Sequence, residues 1–424
     1  MHSKARFPNH LFGASVRPEG AALAILVTVL FLLFLLLFLT LSAPPAQAQT
    51  YNVLHNFSRG IDGAQPQATL TRDQEGNFYG TANNTVFKLA NKGSGWVLNP
   101  LYVFHLGYDG YYAASPVTIG PDGTLYGTTY QGGNLNLCPG GGGGVPGCGA
   151  VYNVKPVARV PASVLAFWSE TVLYAFNGPP NDGEYPLYSA LIFDQEGNLY
   201  GTTSSGGSSG GGTVFELAPS GGWTETILHN FDNGPGGSTP YAGVIMDKAG
   251  NLYGTTSNRD AVYQLSPTQN GWVETVLHSF QGDDGWGAYG GLVMDQFGNL
   301  YGATFGGGAN DSGVIYELSP SLDGWTYRIL YNFSGGGGPY DTLTLDAAGS
   351  LYGTATYCGA NGLGMVFKLT QSNGTWTLTD LQDFSSDTEW APVGGVTFDT
   401  NGNLYGTASG GGLYGWGVVW QITP

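Results

Sequence analysis

Acidic and aromatic residues stand side by side in a series of short segments along this chain. They are Asp62; Tyr108, Asp109, Tyr111 and Tyr112; Asp182, Glu184 and Tyr185; Asp283, Asp284, Trp286 and Tyr289; Tyr340 and Asp341; and Asp387, Glu389 and Trp390. Aromatic faces stack on sugar rings and carboxylates accept hydrogen bonds from hydroxyls, so this mixture suits glycan recognition. The candidate ligand set is Tyr112, Asp109, Asp182, Glu184, Asp283, Asp284, Trp286, Glu389 and Trp390. Two carboxylates about 5–10 Å apart could also serve as the acid and base of a glycosidase. No spacing selects such a pair, so no catalytic residue is assigned. A structural reading competes: Asp-Gly pairs make turns, and the aromatics cap a core.

Other chemistries find less in the sequence. Beyond residue 48 there are four histidines, His55, His105, His229 and His278. All sit near the ends of fourth strands, where other copies have Tyr174, Tyr331 and Gln382, and a residue type repeated in outer strands reads as structural. There is no Ser-based nucleophile motif and no phosphate-binding loop. Each Asp-x-x-Gly-Asn turn offers one carboxylate, whereas calcium takes six to eight oxygens. The three cysteines lack zinc-ligand spacing, so neither a metal nor a cofactor is expected. Cys138 and Cys148 flank the loop CPGGGGGVPGC and are expected to pair, worth roughly 2–3 kcal/mol. Cys358 is left over, read as a free, partly buried thiol.

The elements that carry these residues come from one repeat. A Tyr-Gly pair after an Asp-x-x-Gly-Asn turn, as in residues 295–302, recurs at Tyr79, Tyr126, Tyr200, Tyr253, Tyr301, Tyr352 and Tyr405. A period near 50 residues, short strand-like runs and glycine punctuation indicate a propeller array. In one copy the strands are read at 291–295, 300–304, 314–318 and 325–333. The residues of the turn follow from its chemistry: Asp bonds nearby amides, and Gly or Asn takes positive φ. The Gly of Leu-Tyr-Gly-Thr weakens a strand unless another group comes close, and an aromatic of the neighbouring blade is the expected occupant. Residues 51–57 form a fourth strand with no blade before it, and the last repeat, 391–424, has only three strands. The fold class is therefore all-β: a seven-bladed β-propeller of four-stranded antiparallel blades, the last blade closed by the N-terminal strand. The widest spacing, Tyr126 to Tyr200, places an insertion at 130–167 between the second and third strands of its blade. In this architecture the loops from each fourth strand to the next first strand gather the acids and aromatics on one face, around the mouth of the central channel.

Composition narrows the partners. Of 424 residues 71 are Gly and 10% are charged, and the formal charge is −17. No cluster of Lys and Arg is present to neutralise phosphates, which excludes nucleic acid as a partner. Lys4, Arg6 and Arg17 precede an apolar run at 21–41, the expected leader helix, followed by Ala46-Gln47-Ala48. That is the three-part form of a secretory signal. The run is also long enough to span a bilayer, so an uncleaved N-terminal membrane anchor stays open. The expected organisation is 1–48, signal peptide or anchor, and 49–424, propeller, secreted or otherwise extracytoplasmic.

The motif set D-x-x-G-N-L-Y-G-T-T, G-x-V-F-x-L and W-x-E-T-x-L-x-x-F resembles the Gloeobacter/Verrucomicrobia tandem repeat proteins. Its clearest copies are residues 194–203 with 214–217 and 223–231, and 247–256 with 262–265 and 272–280. The resemblance covers residues 51–424 and implies export. It carries no catalytic residues over, because that family has no established activity. Some members carry a C-terminal surface-anchoring signal; Gln421-Ile-Thr-Pro424 does not match one. The first two strands are also similar to those of NHL-type propellers. The leading expectation is a non-enzymatic exported propeller that binds glycans or a cell-surface partner through its acidic, aromatic top face. An extracellular carbohydrate-active hydrolase or lyase and a structural surface protein are the alternatives.

Overall fold

The computed structural model describes residues 49–105, 107–139, 145–157, 168–386 and 389–423. The leader expected at 1–48 and the loop acid Asp387 lie outside the described residues. The described residues fold into seven four-stranded antiparallel blades: 71–103, 118–175, 192–230, 245–279, 293–332, 344–383, and 397–423 joined by Thr50–Asn56. In the last, Tyr51 pairs with Ile422 and Asn56 with Val418, so the first strand of the chain closes the ring. Among the described residues no helix is long and apolar enough to cross a membrane.

The repeat residues explain each blade. Asp295 accepts hydrogen bonds from Asn299 N (2.9 Å), Asn299 Nδ2 (2.8 Å) and the Tyr301 hydroxyl (3.2 Å). The turn and the tyrosine after it are thus one hydrogen-bonded unit. The Tyr-to-Asp bond recurs at Asp73, Asp194, Asp247, Asp346 and Asp399. Blade two departs, with Asp122 accepting instead from Thr124. The Leu of W-x-E-T-x-L marks a β-bulge near the end of every outer strand. In blade four, Val276 pairs with Tyr263 and His278 with Val262, leaving Leu277 unpaired and turned into the core. A bulge bends its strand and re-aims the residues beyond it, here the His or Tyr and the closing Phe.

Three local expectations are corrected. The inner strands are shorter than read: Val293–Met294 replaces 291–295, because only these two residues pair with the next strand, Val293 with Tyr301 and Met294 with Leu300. The glycine of the Tyr-Gly pair is covered by an aromatic of its own blade. Gly302 pairs with Tyr316 across the ladder, and a Cβ on it would lie 2.3 Å from the Tyr316 hydroxyl. Phe87, Tyr152, Phe215, Tyr263, Phe367 and Trp420 do the same for the other six blades. The neighbouring blade supplies the next ring in the stack: the Phe ending one outer strand meets the edge of that aromatic in the following blade. Centroids are 5.3 Å apart for Phe280–Tyr316 and 5.5 Å for Phe57–Phe87 across the closure. Finally, the long blade two holds two insertions. Ala150–Pro156 is its third strand, with the Cys138–Cys148 disulfide before it and residues 158–167, outside the described set, after it. The stretch beginning at Val154 continues the alternating pattern of Val151-Tyr152, so its first residues join the sheet. Cys358 is free and buried.

Candidate functional site

The loops that lead from each outer strand to the next inner strand place a column of residues at the channel mouth. Three positions before the buried Leu or Val that opens each inner strand stand Gln67, Ala114, Tyr188, Tyr241, Tyr289, Tyr340 and Val393. Four consecutive blades thus present a tyrosine. Tyr241 meets Tyr289 edge-on at 5.6 Å, Tyr289 stacks on Tyr340 at 4.7 Å, and Tyr340 meets Tyr188 at 5.9 Å. Tyr188 leads into blade three and Tyr340 into blade six, and loops of non-adjacent blades can touch only near the ring axis. Tyr188 and Tyr112 both donate to Gln67 Oε1, at 2.7 and 2.9 Å, joining the loops that enter blades one, two and three. Tyr130 and Tyr185, 4.8 Å apart, extend the collar outward from Tyr112. Burial and neighbouring phenols push the Tyr188 and Tyr340 hydroxyls well above the ordinary tyrosine range, so they remain neutral donors. Tyr112 and Tyr188 hold left-handed backbone, φ 60° and 55°. Such strain costs of order 1–3 kcal/mol and gathers at ligand sites.

Beneath the collar lies a cavity of about 230 Å³ lined by residues that include Tyr188, Pro116, Val244, Leu292, Asp341 and Thr342. Asp341 is the one charged side chain among the described residues lining it. It accepts from Thr69 Oγ1 (2.5 Å), Gly395 N (2.8 Å) and Thr342 N (2.6 Å). Those donors belong to the loops entering blades one, seven and six. Burial raises its pKa despite the three donors, which act to lower it.

Of the acids singled out in the sequence, Asp341 lines this cavity, whereas Asp109, Asp182 and Asp284 are spent inside their own loops. Asp109 accepts from His105 N (2.8 Å) and the Tyr102 hydroxyl (3.0 Å). Asp182 is buried and accepts from Asn177 N and the Tyr174 hydroxyl, both at 2.8 Å. Asp284 accepts from Gln281 N (2.7 Å) and bonds His278 Nε2 (2.8 Å). His55, Tyr102, Tyr174 and His278 of the outer strands therefore anchor the loops that follow them. Asp283 is exposed beside this anchor. Glu184 is half-buried, its pKa raised by that burial, with a carboxylate oxygen 3.1 Å from Cys138 Sγ. A disulfide sulfur has no proton to donate and no thiolate for a metal, so Cys138, Cys148 and Glu184 form a contact and not an ion site. Glu389 is buried beside Tyr51, whose phenol is raised by burial and then by that carboxylate. Trp286 lies over Gly306 and donates from Nε1 to Asp311 (2.9 Å), and Trp390 lies over Gly410. Both indoles cover glycine loops and keep an open face, 39% and 44% exposed. Of the candidate ligand set only Tyr112 belongs to the collar, which also takes Tyr185, Tyr289 and Tyr340 from the wider series of loop aromatics. Tyr130, Tyr188, Tyr241 and Gln67 escaped notice, although the column three residues before each inner strand was there to be aligned.

A seven-bladed ring built from one tandem unit, with an aromatic collar at its mouth, defines a propeller repeat protein. The sequence signature of the Gloeobacter/Verrucomicrobia repeat matches residues 140–261 and 257–424, and the chain belongs to that family. Among solved structures it is similar to virginiamycin B lyase from Staphylococcus aureus (15% identity, TM-score 0.53), covering 89% of this chain and 99% of that one. It is also similar to the BT4673 extracellular domain from B. thetaiotaomicron (12% identity, TM-score 0.54), covering 88% of this chain and 39% of that one. At these identities the likeness is one of fold. No curated protein matches the sequence.

Proposed function

We propose that this chain is an exported, extracytoplasmic binding propeller that takes a glycan at the tyrosine collar. One observation carries the reading: Gln67, Tyr112 and Tyr188, from three different blade-entry loops, meet at one point on the axis, continuous with Tyr340, Tyr289 and Tyr241. Ligand sites combine aromatic walls with a few convergent polar groups, and sugars use both, ring faces for stacking and amide or phenol groups for hydroxyls. The open faces of Trp286 and Trp390 extend the stacking surface toward the rim. Asp109, Asp182 and Asp284 serve by fixing the loops, while Asp283, Glu184 and Glu389 lie beside them. Export is supported by the signal-like leader and by the resemblance to an exported family. Binding is favoured over glycoside hydrolysis because, among the described residues, a single carboxylate lines the cavity, whereas hydrolysis uses two.

The test is a glycan array with the folded propeller, then the same array with Tyr188→Ala and Tyr340→Ala. Loss of binding in both, with unchanged melting, supports the reading. Retained binding in both variants, or no hit from the wild type, refutes the collar. Release of free sugar from a bound glycan makes the protein a hydrolase or lyase instead.

A further inference from the structure

The residues just after the collar, toward the channel, are small almost everywhere. Two positions before each inner-strand Leu or Val stand Ala68, Ser115, Ser189, Ala242, Gly290, Asp341 and Gly394. In a repeat protein every copy solves the same packing problem, so a residue that breaks its column answers to something other than the repeat. Asp341 breaks it with a charge, at the narrowest part of the ring, where burial makes a charge costly. Six copies close the same turn without a carboxylate. Around it the cavity is apolar, lined by Pro116, Val244, Leu292 and Leu343, with Tyr188 also lining it and Tyr340 in edge contact with Tyr188.

We propose that the channel neck is a subsite for a small organic ammonium group, with alkyl substituents on the nitrogen, held between the Asp341 carboxylate and the tyrosine rings. Aromatic rings attract cations most strongly when both are desolvated, and quaternary ammonium groups are bound by aromatic cages. The carboxylate supplies the countercharge, and the apolar wall accommodates alkyl groups that a hydrated ammonium ion would lack. No Lys or Arg lines the cavity among the described residues, so nothing there repels a cation. This inference rests on reading the collar as a binding site and adds the chemical class of group that enters below it.

The probe is choline chloride, titrated calorimetrically against the exported propeller beside its uncharged isostere 3,3-dimethyl-1-butanol and beside ammonium chloride. Choline should bind at least about tenfold more tightly than either comparator. Asp341→Asn should reduce choline affinity to that of the isostere. Because Asp341 also ties three loops together, that variant is first checked by thermal melting. Tyr188→Leu, which leaves the carboxylate in place, should reduce choline affinity independently. Equal binding of choline and the isostere overturns the inference, as does choline binding that survives both substitutions. Glycan binding on the array without choline binding sinks the subsite and spares the collar. Choline binding sensitive to Asp341, with an empty array, sinks the glycan reading and keeps the subsite.

Discussion

Replacing Glu225 with Gln should stabilise the propeller, but only where the solution is neutral or alkaline. Glu225 lies on the outer strand Thr224–Asn230 and faces the preceding blade, beside the Asp182 carboxylate and the Tyr174 phenol. Its buried Oε1 has no hydrogen-bond partner among the described residues. Burial, and then the charge of Asp182, push its pKa from 4.5 up to about 8. A carboxyl whose folded pKa is raised favours folding when protonated. Its contribution is complete below about pH 4.5 and is lost as pH rises toward 8. At face value a rise of that size is nearly 5 kcal/mol. The side chain keeps substantial access to water, and screening reduces this to on the order of 1–2 kcal/mol. For a ring of this length that corresponds to roughly 2 °C in melting temperature. Calorimetric melts of the wild type and Glu225→Gln at pH 4 and pH 9 test it. The two should coincide at pH 4, and the variant should melt higher at pH 9. A gap of the same size at both pH values, or a variant that melts lower at pH 9, refutes the reasoning. Glu170 repeats the arrangement against Asp109, raised to about 7, so Glu170→Gln should behave alike with a smaller gain.

The ring and its turns give further expected outcomes. Deleting residues 50–56 removes the strand that pairs with Val418–Thr423; the exposed edge should cause self-association, and a truncated chain that stays monomeric by light scattering and melts normally would refute the closure. Gly302→Ala brings a methyl against Tyr316 and should cost about 1–3 kcal/mol by denaturant unfolding, with a neutral result refuting the ring-over-glycine packing. Asp73, Asp194, Asp247 and Asp399 are only partly buried; that burial acts to raise their pKa values, but hydrogen bonds from Asn and Tyr hold them below the usual range on balance. A lowered pKa gives stability that is present above the unfolded value and lost as pH falls, so stability should drop progressively below about pH 4; a flat profile from pH 4 to 2 would count against it. Cys358 is buried with its pKa pushed up to about 11, so iodoacetamide should modify it only after unfolding, and rapid labelling of the native protein would contradict its burial.

Much of this molecule is written locally. The Asp-x-x-Gly-Asn-x-Tyr unit closes its hydrogen bonds within seven residues, so its pattern in the sequence reports the turn directly. Its recurrence sets the period, and the unmatched strand at 51–57 with the three-stranded last repeat discloses how the ring closes. Those relations survive translation into a one-dimensional pattern because each depends on residues close in sequence, or on a simple count of strands. What fills the space over Gly302 was not legible in the same way. Whether Tyr316 or a ring from the next blade covers it depends on ladder register and on how sheets pack face to face. The acids near the face were legible as a recurring feature, but their use was not. Asp109 and Asp284 are turned into their own loops by bonds to His105 N and Gln281 N, and only coordinates show where those lone pairs point. The collar is the clearest case. Tyr188 and Tyr340 are separated by 152 positions in the sequence and belong to blades that are not neighbours. They touch because seven wedge-shaped sheets leave an axis narrow enough for opposite loops to meet, and that narrowness belongs to the closed ring and to no single repeat.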